Sequence, residues 1–190
     1  MNQIEIVIIF ILIILVLFYI QNKLDEVEFV QSDVDNNKYL VQNIFNKKEA
    51  ANMLARLNDK ITKLIEHLKQ NYDSKDGVSR LNKNYTVNNI SEGSSESNYT
   101  SYSVNKGEKI VFCLRQKEDV NEFVNENVLM YVATHELSHL MTKEVGHTDT
   151  FWKNFKFLLE EAIKIGVYVK QDFEKYPQDY CGLNIKYSVV

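Results

Sequence analysis

The feature that most limits how this chain can fold is a cluster of histidines. The chain has only four, and three of them, His135, His139 and His147, fall within thirteen residues. His135 and His139 are four residues apart, which on an α-helix places both side chains on nearly the same face, one turn apart. Two imidazoles in that arrangement can bind one zinc ion. The spacing therefore predicts a helix that presents a metal site.

The residues around the cluster support that helix and supply a third ligand. A helical apolar pattern runs from Asn125 to Lys143, and we expect Gly146 to end it as a C-cap and to let the chain turn back. His147 then returns to the metal at the start of a second helix, which Thr148 caps and which continues to about Ile165. Glu160 and Glu161, about twenty residues after His139, are the alternatives for the third ligand.

Glu136 is the predicted catalytic base. It lies about 100° round the helix from His135, close to the metal without being a ligand. Zinc held by three protein ligands keeps a fourth position open and lowers the pKa of a bound water towards about 7. A carboxylate beside that water can take its proton and hand it to the leaving amine. This chemistry predicts hydrolysis of peptide bonds in a polypeptide substrate.

A second strong signal is the apolar run from Ile4 to Ile20, whose only charge is Glu5. Seventeen helical residues span about 26 Å, sufficient for a short membrane helix. A cleaved signal peptide is the competing interpretation, but no Lys or Arg precedes the run and no small-residue cleavage site follows it. We therefore predict a single-pass anchor over residues 1–21 that contacts the membrane through residues 4–20.

The side of the membrane rests on weak signals. Lys23 and Lys38 follow the span and no basic residue precedes it, which favours a cytoplasmic body. Three glycosylation sequons, at Asn84, Asn89 and Asn98, favour a lumenal one. The charge count sets the prediction at cytoplasmic.

The rest of the chain reads as a tether over residues 22–37 and one domain over residues 38–190, with its core in residues 100–166. An amphipathic helix is predicted from Asn46 to Tyr72, with Asn46 and Glu49 as a capping box, and a polar loop from Tyr72 to Ser103.

Three strands follow from the same reasoning. Residues Thr100 to Val104 and Lys109 to Arg115 should form a hairpin, whose second strand is apolar enough to be buried on both faces. A final strand is expected from Leu183 to Tyr187.

Charge and cysteine content limit the classes of partner and scaffold. A net charge of -4 and a pI near 5.6 lack the basic excess typical of nucleic-acid binding, so no nucleic-acid partner is predicted. Cys113 and Cys181 are too few for a disulfide scaffold, and we expect two buried thiols, with a single bridge as the alternative.

The string His135 to His139, followed by Gly146-His147 and Phe151-Trp152, resembles the WLM and SprT-like group of small zinc metallopeptidases. The resemblance covers mainly residues 110–165. It implies an α+β, minimal zincin-like fold with the active-site helices packed on a small β-sheet. It also implies that His135, His139 and His147 bind Zn²⁺ and that Glu136 is the base.

The same resemblance implies that a strand near the metal pairs with the substrate backbone, by position the strand from Lys109 to Arg115. Some members of the group act on proteins crosslinked to DNA, but this chain has no evident DNA-binding extension, so that role is not carried over.

The combined expectation is a membrane-anchored zinc endopeptidase. Two other functions stay open: a membrane-bound scaffold or adaptor with a structural zinc, and a zinc amidase acting on non-peptide amides. The residue that stabilises the oxyanion is undecided among four candidates, namely His67, Tyr168, Tyr176 and Tyr180.

Overall fold

The structure is a computed structural model that describes residues 3–24, 26–94 and 100–190. Its α-helices are α1 (Gln3–Leu24), α2 (Lys47–Tyr72), α3 (Val78–Asn84), α4 (Glu126–Met141) and α5 (Asp149–Lys164). Its strands are β1 (Val27–Gln31), β2 (Lys38–Gln42), β3 (Ile90–Glu92), β4 (Ser101–Val104), β5 (Lys109–Phe112), β6 (Gln178–Tyr180) and β7 (Leu183–Ile185).

The main sheet is mixed and has the strand order β1-β2-β3-β5-β4. The antiparallel pairs β1–β2 and β4–β5 form its two sides. Strand β3 lies between them and pairs in parallel with β2 on one side and β5 on the other. Helix α2 buries its apolar stripe against the sheet and α4, and α5 packs along α4. The predicted α+β architecture, with helices on a small sheet, is confirmed.

Helix α1 is the apolar segment predicted from the sequence. Residues Gln3–Gln21 have a mean hydropathy of 3.0 and none of them is buried. Among the helices in the part of the chain that the structure describes, α1 is the one that is long and apolar enough to cross a membrane.

The predicted tether is wrong, because residues 27–31 form the edge strand β1. Phe29 pairs with Leu40 and Val30 with Tyr39, so this segment belongs to the sheet. Its polar and acidic side chains suggested a linker, whereas they suit a strand with one solvated face.

The predicted helix from Asn46 to Tyr72 is confirmed as α2, but its capping box is wrong. Asn46 has a left-handed φ of 61° and its side chain caps nothing. Glu49 instead accepts a hydrogen bond from Arg56 Nη2 at 2.7 Å. The Glu49 carboxylate is thus engaged with a side chain two turns along the helix and not with Asn46.

The predicted polar loop from Tyr72 to Ser103 contains helix α3 and strand β3, so it is also corrected. Gly77, at φ 93°, starts α3, and a β-carbon there would lie 2.7 Å from the Met141 carbonyl oxygen. Glycine is needed for α3 to approach the end of α4 this closely. The sequon at Asn98 lies outside the described residues.

The predicted hairpin is confirmed, and β5 is buried on both faces at Ile110, Val111 and Phe112. The position of β5 in the sheet shows that the expected choice of substrate-binding strand is wrong. Both edges of β5 are occupied, by β3 and β4, so Lys109 to Arg115 has no free edge for a substrate. Strand β4, next to β5, lies at one end of the sheet, and β1 lies at the other.

The two cysteines are bridged, which contradicts the expected pair of thiols. Cys113, just after β5, is bonded to Cys181, in the turn between β6 and β7, with the Cα atoms 6.3 Å apart. The pairing spans 68 residues and carries no local sequence signal. The expected final strand is present as β7, paired only with β6 in a separate two-stranded sheet.

Candidate metal centre

Helix α4 supports the centre. Asn125 caps it, because its side-chain oxygen accepts hydrogen bonds from the backbone N–H groups of Asn127 and Val128. Leu137 and Leu140 are fully buried in the core and orient the helix. His135 and His139 therefore share the face that looks outward onto the cleft, and their ring centroids are 5.0 Å apart.

The third histidine arrives from the loop after α4, although not by the predicted route. The helix ends at Met141 with Thr142 in an extended conformation, so Gly146 is not its C-cap. Gly146 lies in the loop at φ 86° and makes the turn that precedes His147. Thr148 then caps α5 by accepting a hydrogen bond from the Phe151 N–H, as expected.

The three imidazoles converge on one point. Their ligand nitrogens all lie within 4.8 Å of one another, and Nε2 of His147 is 3.1 Å from Nε2 of His135. Two nitrogens bound tetrahedrally to one zinc ion are roughly 3.3 Å apart, given zinc–nitrogen distances of about 2.0–2.1 Å. The donor set therefore fits zinc and leaves one tetrahedral position for another ligand.

The surroundings keep the helix histidines neutral. Burial, and then the neighbouring His139 and His147, lower the pKa of His135 to about 3. Burial, with His147 and Lys106, lowers the pKa of His139 to about 4. Neutral imidazoles offer the free lone pairs that metal binding requires.

Glu136 is buried beside the triad, 5% exposed. Burial raises the pKa of its carboxyl to about 7, and a hydrogen bond with Ser103 on β4 opposes the rise. A carboxyl with a pKa near neutrality can both accept and release a proton at physiological pH.

One fully buried aromatic ring positions all three histidines. The Phe151 ring centroid lies 4.9 Å from that of His135, 4.4 Å from that of His139 and 4.7 Å from that of His147. Trp152, which is half-exposed, lies with its ring centroid 5.7 Å from that of His147 and also contacts the Phe151 ring. The aromatic pair noted in the sequence therefore supports the metal ligands from behind.

Lys106 is a positioning residue that sequence reasoning missed. It lies in the β4–β5 turn, and its Nζ donates to the backbone carbonyls of His139, Thr142 and Glu144 at 3.1, 2.9 and 2.6 Å. These contacts close the C-terminal end of α4 and the start of the loop that carries His147. A lysine in a turn gives no sequence signal of such a role.

An open cleft of about 560 Å³ lies in front of the triad and Glu136. Its far wall is β4, with Ser101, Tyr102 and Ser103. The Thr100 carbonyl accepts a hydrogen bond from Cys113 N–H, on the β5 side. Because backbone groups alternate in an antiparallel pair, the N–H and C=O groups of Ser101 and Ser103 point to the outer edge, towards the cleft.

The alternative ligands are not in the centre. Glu161 is buried between α5 and α2, where it accepts hydrogen bonds from Tyr72 Oη at 2.8 Å and pairs with His67 Nε2 at 2.6 Å. Glu160 is exposed and lies 3.9 Å from Lys156. His67, the fourth histidine, is thus a partner of Glu161.

The structure also shows which of the four candidate oxyanion-stabilising residues lie near Glu136. Tyr180 lines a cavity next to Glu136, but its buried hydroxyl is engaged at 2.6 Å with Ser101 Oγ. The two cavities that flank Glu136 are lined by other described residues and not by Tyr168, Tyr176 or His67.

A helix-borne His-Glu-x-x-His string and a third histidine from the following loop together form a site that could hold a metal ion, with β4 across the cleft. Residues 34–188 match the WLM domain, and the chain belongs to this family of metalloproteases.

Viral proteins are among its relatives. The chain is 35% identical over 178 residues to "Uncharacterized protein R325" of Acanthamoeba polyphaga mimivirus, a match that covers 91% of this chain and 90% of the relative. It is 34% identical over 83 residues to "Uncharacterized protein 136R" of Invertebrate iridescent virus 6, covering 43% of this chain and 44% of that protein.

The fold is shared with a solved protein. The crystal structure of Wss1 from Saccharomyces cerevisiae superposes with a TM-score of 0.52 at 24% identity, over 67% of this chain and 88% of Wss1. A Wss1 mutant structure gives a TM-score of 0.53 at 23% identity.

Proposed function

We propose that this chain is a membrane-anchored, zinc-dependent endopeptidase. The observation that carries the proposal is the convergence of three histidines beside a buried glutamate, in a cleft whose opposite wall is β4, at one end of the main sheet. His135, His139 and His147 are the proposed ligands and Glu136 the proposed base. Three protein ligands leave a position for water and substrate, which supports catalysis over a purely structural zinc.

When bound, zinc lowers the pKa of water and polarises the scissile carbonyl. The chain's own residues supply the proton transfers. An Oε atom of Glu136 accepts a proton from the attacking water and then donates it to the nitrogen of the leaving amine. Glu136 lines the cleft together with Ser103 of β4, so its carboxyl lies beside the space that the substrate would occupy.

The substrate backbone pairs with β4 in this proposal. An extended peptide can add to the outer edge through the N–H and C=O groups of Ser101 and Ser103. Such binding reads the backbone and so accepts many polypeptide sequences. It places a peptide bond between the strand edge and α4, where Glu136 lies.

Replacing Glu136 with Gln tests the mechanism. Glutamine keeps the shape of the side chain, but its amide cannot take up a proton near neutral pH. Cleavage of an unfolded protein such as casein should fall at least about 100-fold, since general acid–base catalysis contributes roughly 10²–10⁴. Zinc content, measured by elemental analysis, should stay at the wild-type level.

Glu160→Gln is the matched control, because Glu160 is an exposed glutamate on α5 away from the cleft. It should retain full activity. If Glu136→Gln cleaved casein as fast as this control, Glu136 would not be the base and the mechanism would be wrong.

Helix α1 is the proposed anchor, since its exposed apolar surface is suited to lipid. The predicted cytoplasmic side was based on two lysines. The Cys113–Cys181 bridge supports the opposite side, because disulfides persist in oxidising environments and are rare in the cytosol.

A further inference from the structure

A second cavity of about 290 Å³ opens beside the metal cleft. It shares His135 and Glu136 with the cleft and extends along α4 towards its N-terminal half, past Val132 and Tyr131. The cleft itself continues the other way, towards Val145 and His147. The cavity is therefore a side chamber that adjoins the site of the proposed reaction.

The lining of the chamber is largely apolar and includes one basic side chain. Tyr131 and Val132 come from α4, and Leu183 and Ile185 come from β7. The basic side chain is Lys186, which is exposed. A volume below the roughly 300–1,000 Å³ of small-molecule sites suits a single side chain, and the wall favours an apolar one.

The β6–β7 hairpin that closes the chamber is held in three ways. The Cys113–Cys181 bond attaches its turn to the end of β5. Tyr180 Oη is hydrogen-bonded to Ser101 Oγ on β4, and Tyr131 Oη donates to the Tyr187 carbonyl at 3.2 Å. The wall is thus fixed to both β4 and α4, which makes it a preformed part of the site.

A peptide on the edge of β4 would present a side chain to this chamber. Side chains of an extended strand alternate between two faces, so every second residue of the peptide faces the same way. Ser101 contributes both to the outer edge of β4 and to the lining of the chamber. A residue next to the scissile bond is therefore within reach of Leu183.

We propose that this chamber is a specificity subsite that accepts a large apolar side chain flanking the scissile bond of the substrate. The inference rests on the proposed endopeptidase function. Leu183 and Ile185 select for leucine, phenylalanine or methionine, and the positive charge of Lys186 in the lining disfavours lysine and arginine.

Matched peptides test this selectivity. A panel would vary only the two residues that flank the cleavage site, among Leu, Phe, Ala, Asp and Lys. At one of these positions, Leu or Phe should raise kcat/KM by about tenfold over Ala, with Lys lowest, as expected for burial of a large apolar side chain. Equal kcat/KM across the panel would overturn the subsite.

Leu183→Asp tests the wall. Leu183 is 53% exposed, so a polar side chain is tolerated there, but its charge would face the bound side chain. The variant should lose most of the tenfold preference for Leu or Phe over Ala. Its kcat/KM for the Lys peptide should rise relative to that for the Leu peptide. Val169→Asp, at a 69% exposed valine outside both cavities, is the control and should keep the wild-type preference. A preference unchanged in Leu183→Asp would also overturn the proposal.

Binding separates this inference from the proposed function. Zinc-loaded Glu136→Gln can be titrated with fluorescently labelled members of the same panel. Tighter binding of the Leu and Phe peptides supports the subsite even if the wild-type protein cleaves nothing, an outcome that would remove only the peptidase function. Equal binding of all peptides overturns the subsite whatever the activity.

Discussion

At the scale of single residues, the centre depends on side chains that act on other side chains. Phe151 touches all three histidines and is fully buried, so it limits the rotamers from which they can bind metal. Lys106 holds the carbonyl of His139 from the opposite hairpin. Replacing a residue that orients a metal ligand typically lowers metal affinity by about 10–100-fold.

His147→Ala tests the third ligand. It removes one of three converging nitrogens, so zinc affinity should fall by more than the roughly 10–100-fold typical of losing a residue that only orients a ligand. Competition with a chromophoric chelator measures the affinity. His67→Ala is the control and should leave it unchanged, because His67 pairs with Glu161 on α2 and α5. Equal losses in both variants would contradict the assignment.

At the scale of elements, the C-terminal hairpin connects the sheet to the site. It forms its own two-stranded sheet, and the disulfide attaches it to the end of β5. Tyr180 and Cys181 are nearly fully buried, so the hairpin is part of the folded core. Its attachment to β4 places an apolar wall opposite α4.

Removing the disulfide should destabilise this arrangement. In the double variant Cys113→Ser, Cys181→Ser, the free energy of unfolding should fall by about 2–5 kcal/mol, because a crosslink across 68 residues restricts the unfolded chain. Denaturant titration of the oxidised wild type and the variant measures the difference. The wild type in reducing buffer should match the variant. If reduction left the stability of the wild type unchanged, the bond would not form in solution.

At the scale of the whole molecule, the chain joins an apolar helix to its WLM domain through very little intervening sequence. Strand β1 begins at Val27, three residues after α1 ends, and belongs to the main sheet. Because each residue spans at most about 3.6 Å, the sheet starts within roughly 11 Å of the end of the helix. With α1 as the proposed anchor, a domain this close to it would act on substrates at or near the membrane surface.

Membrane association can be measured directly. The full chain expressed with membranes should remain in the pellet after alkaline carbonate extraction, as an integral protein does, and should keep its N-terminal residues by mass spectrometry. Protease added to intact vesicles should spare the body if it faces the oxidising side. Release by carbonate or loss of residues 1–21 would refute the anchor, and digestion of the body would place it in the cytosol.

Local patterns were sufficient for much of the fold. The helical periods of α2, α4 and α5 and the turn residues between β4 and β5 involve neighbours within a few residues, so the sequence alone predicts them. The same holds for the metal-binding set, because His135, Glu136 and His139 are related by one helical turn and His147 follows within a single loop.

Features that depend on distant residues were not predictable in this way. Three features join segments far apart in the chain: the pairing of Cys113 with Cys181, the contacts of Lys106 with the end of α4, and the insertion of β5 between β3 and β4, which leaves β4 at the end of the sheet. Periodicity describes one face of one element, and only tertiary packing determines which faces and edges meet. The histidine spacing thus identifies the chemistry, whereas the fold determines which strand and which cavity lie beside it.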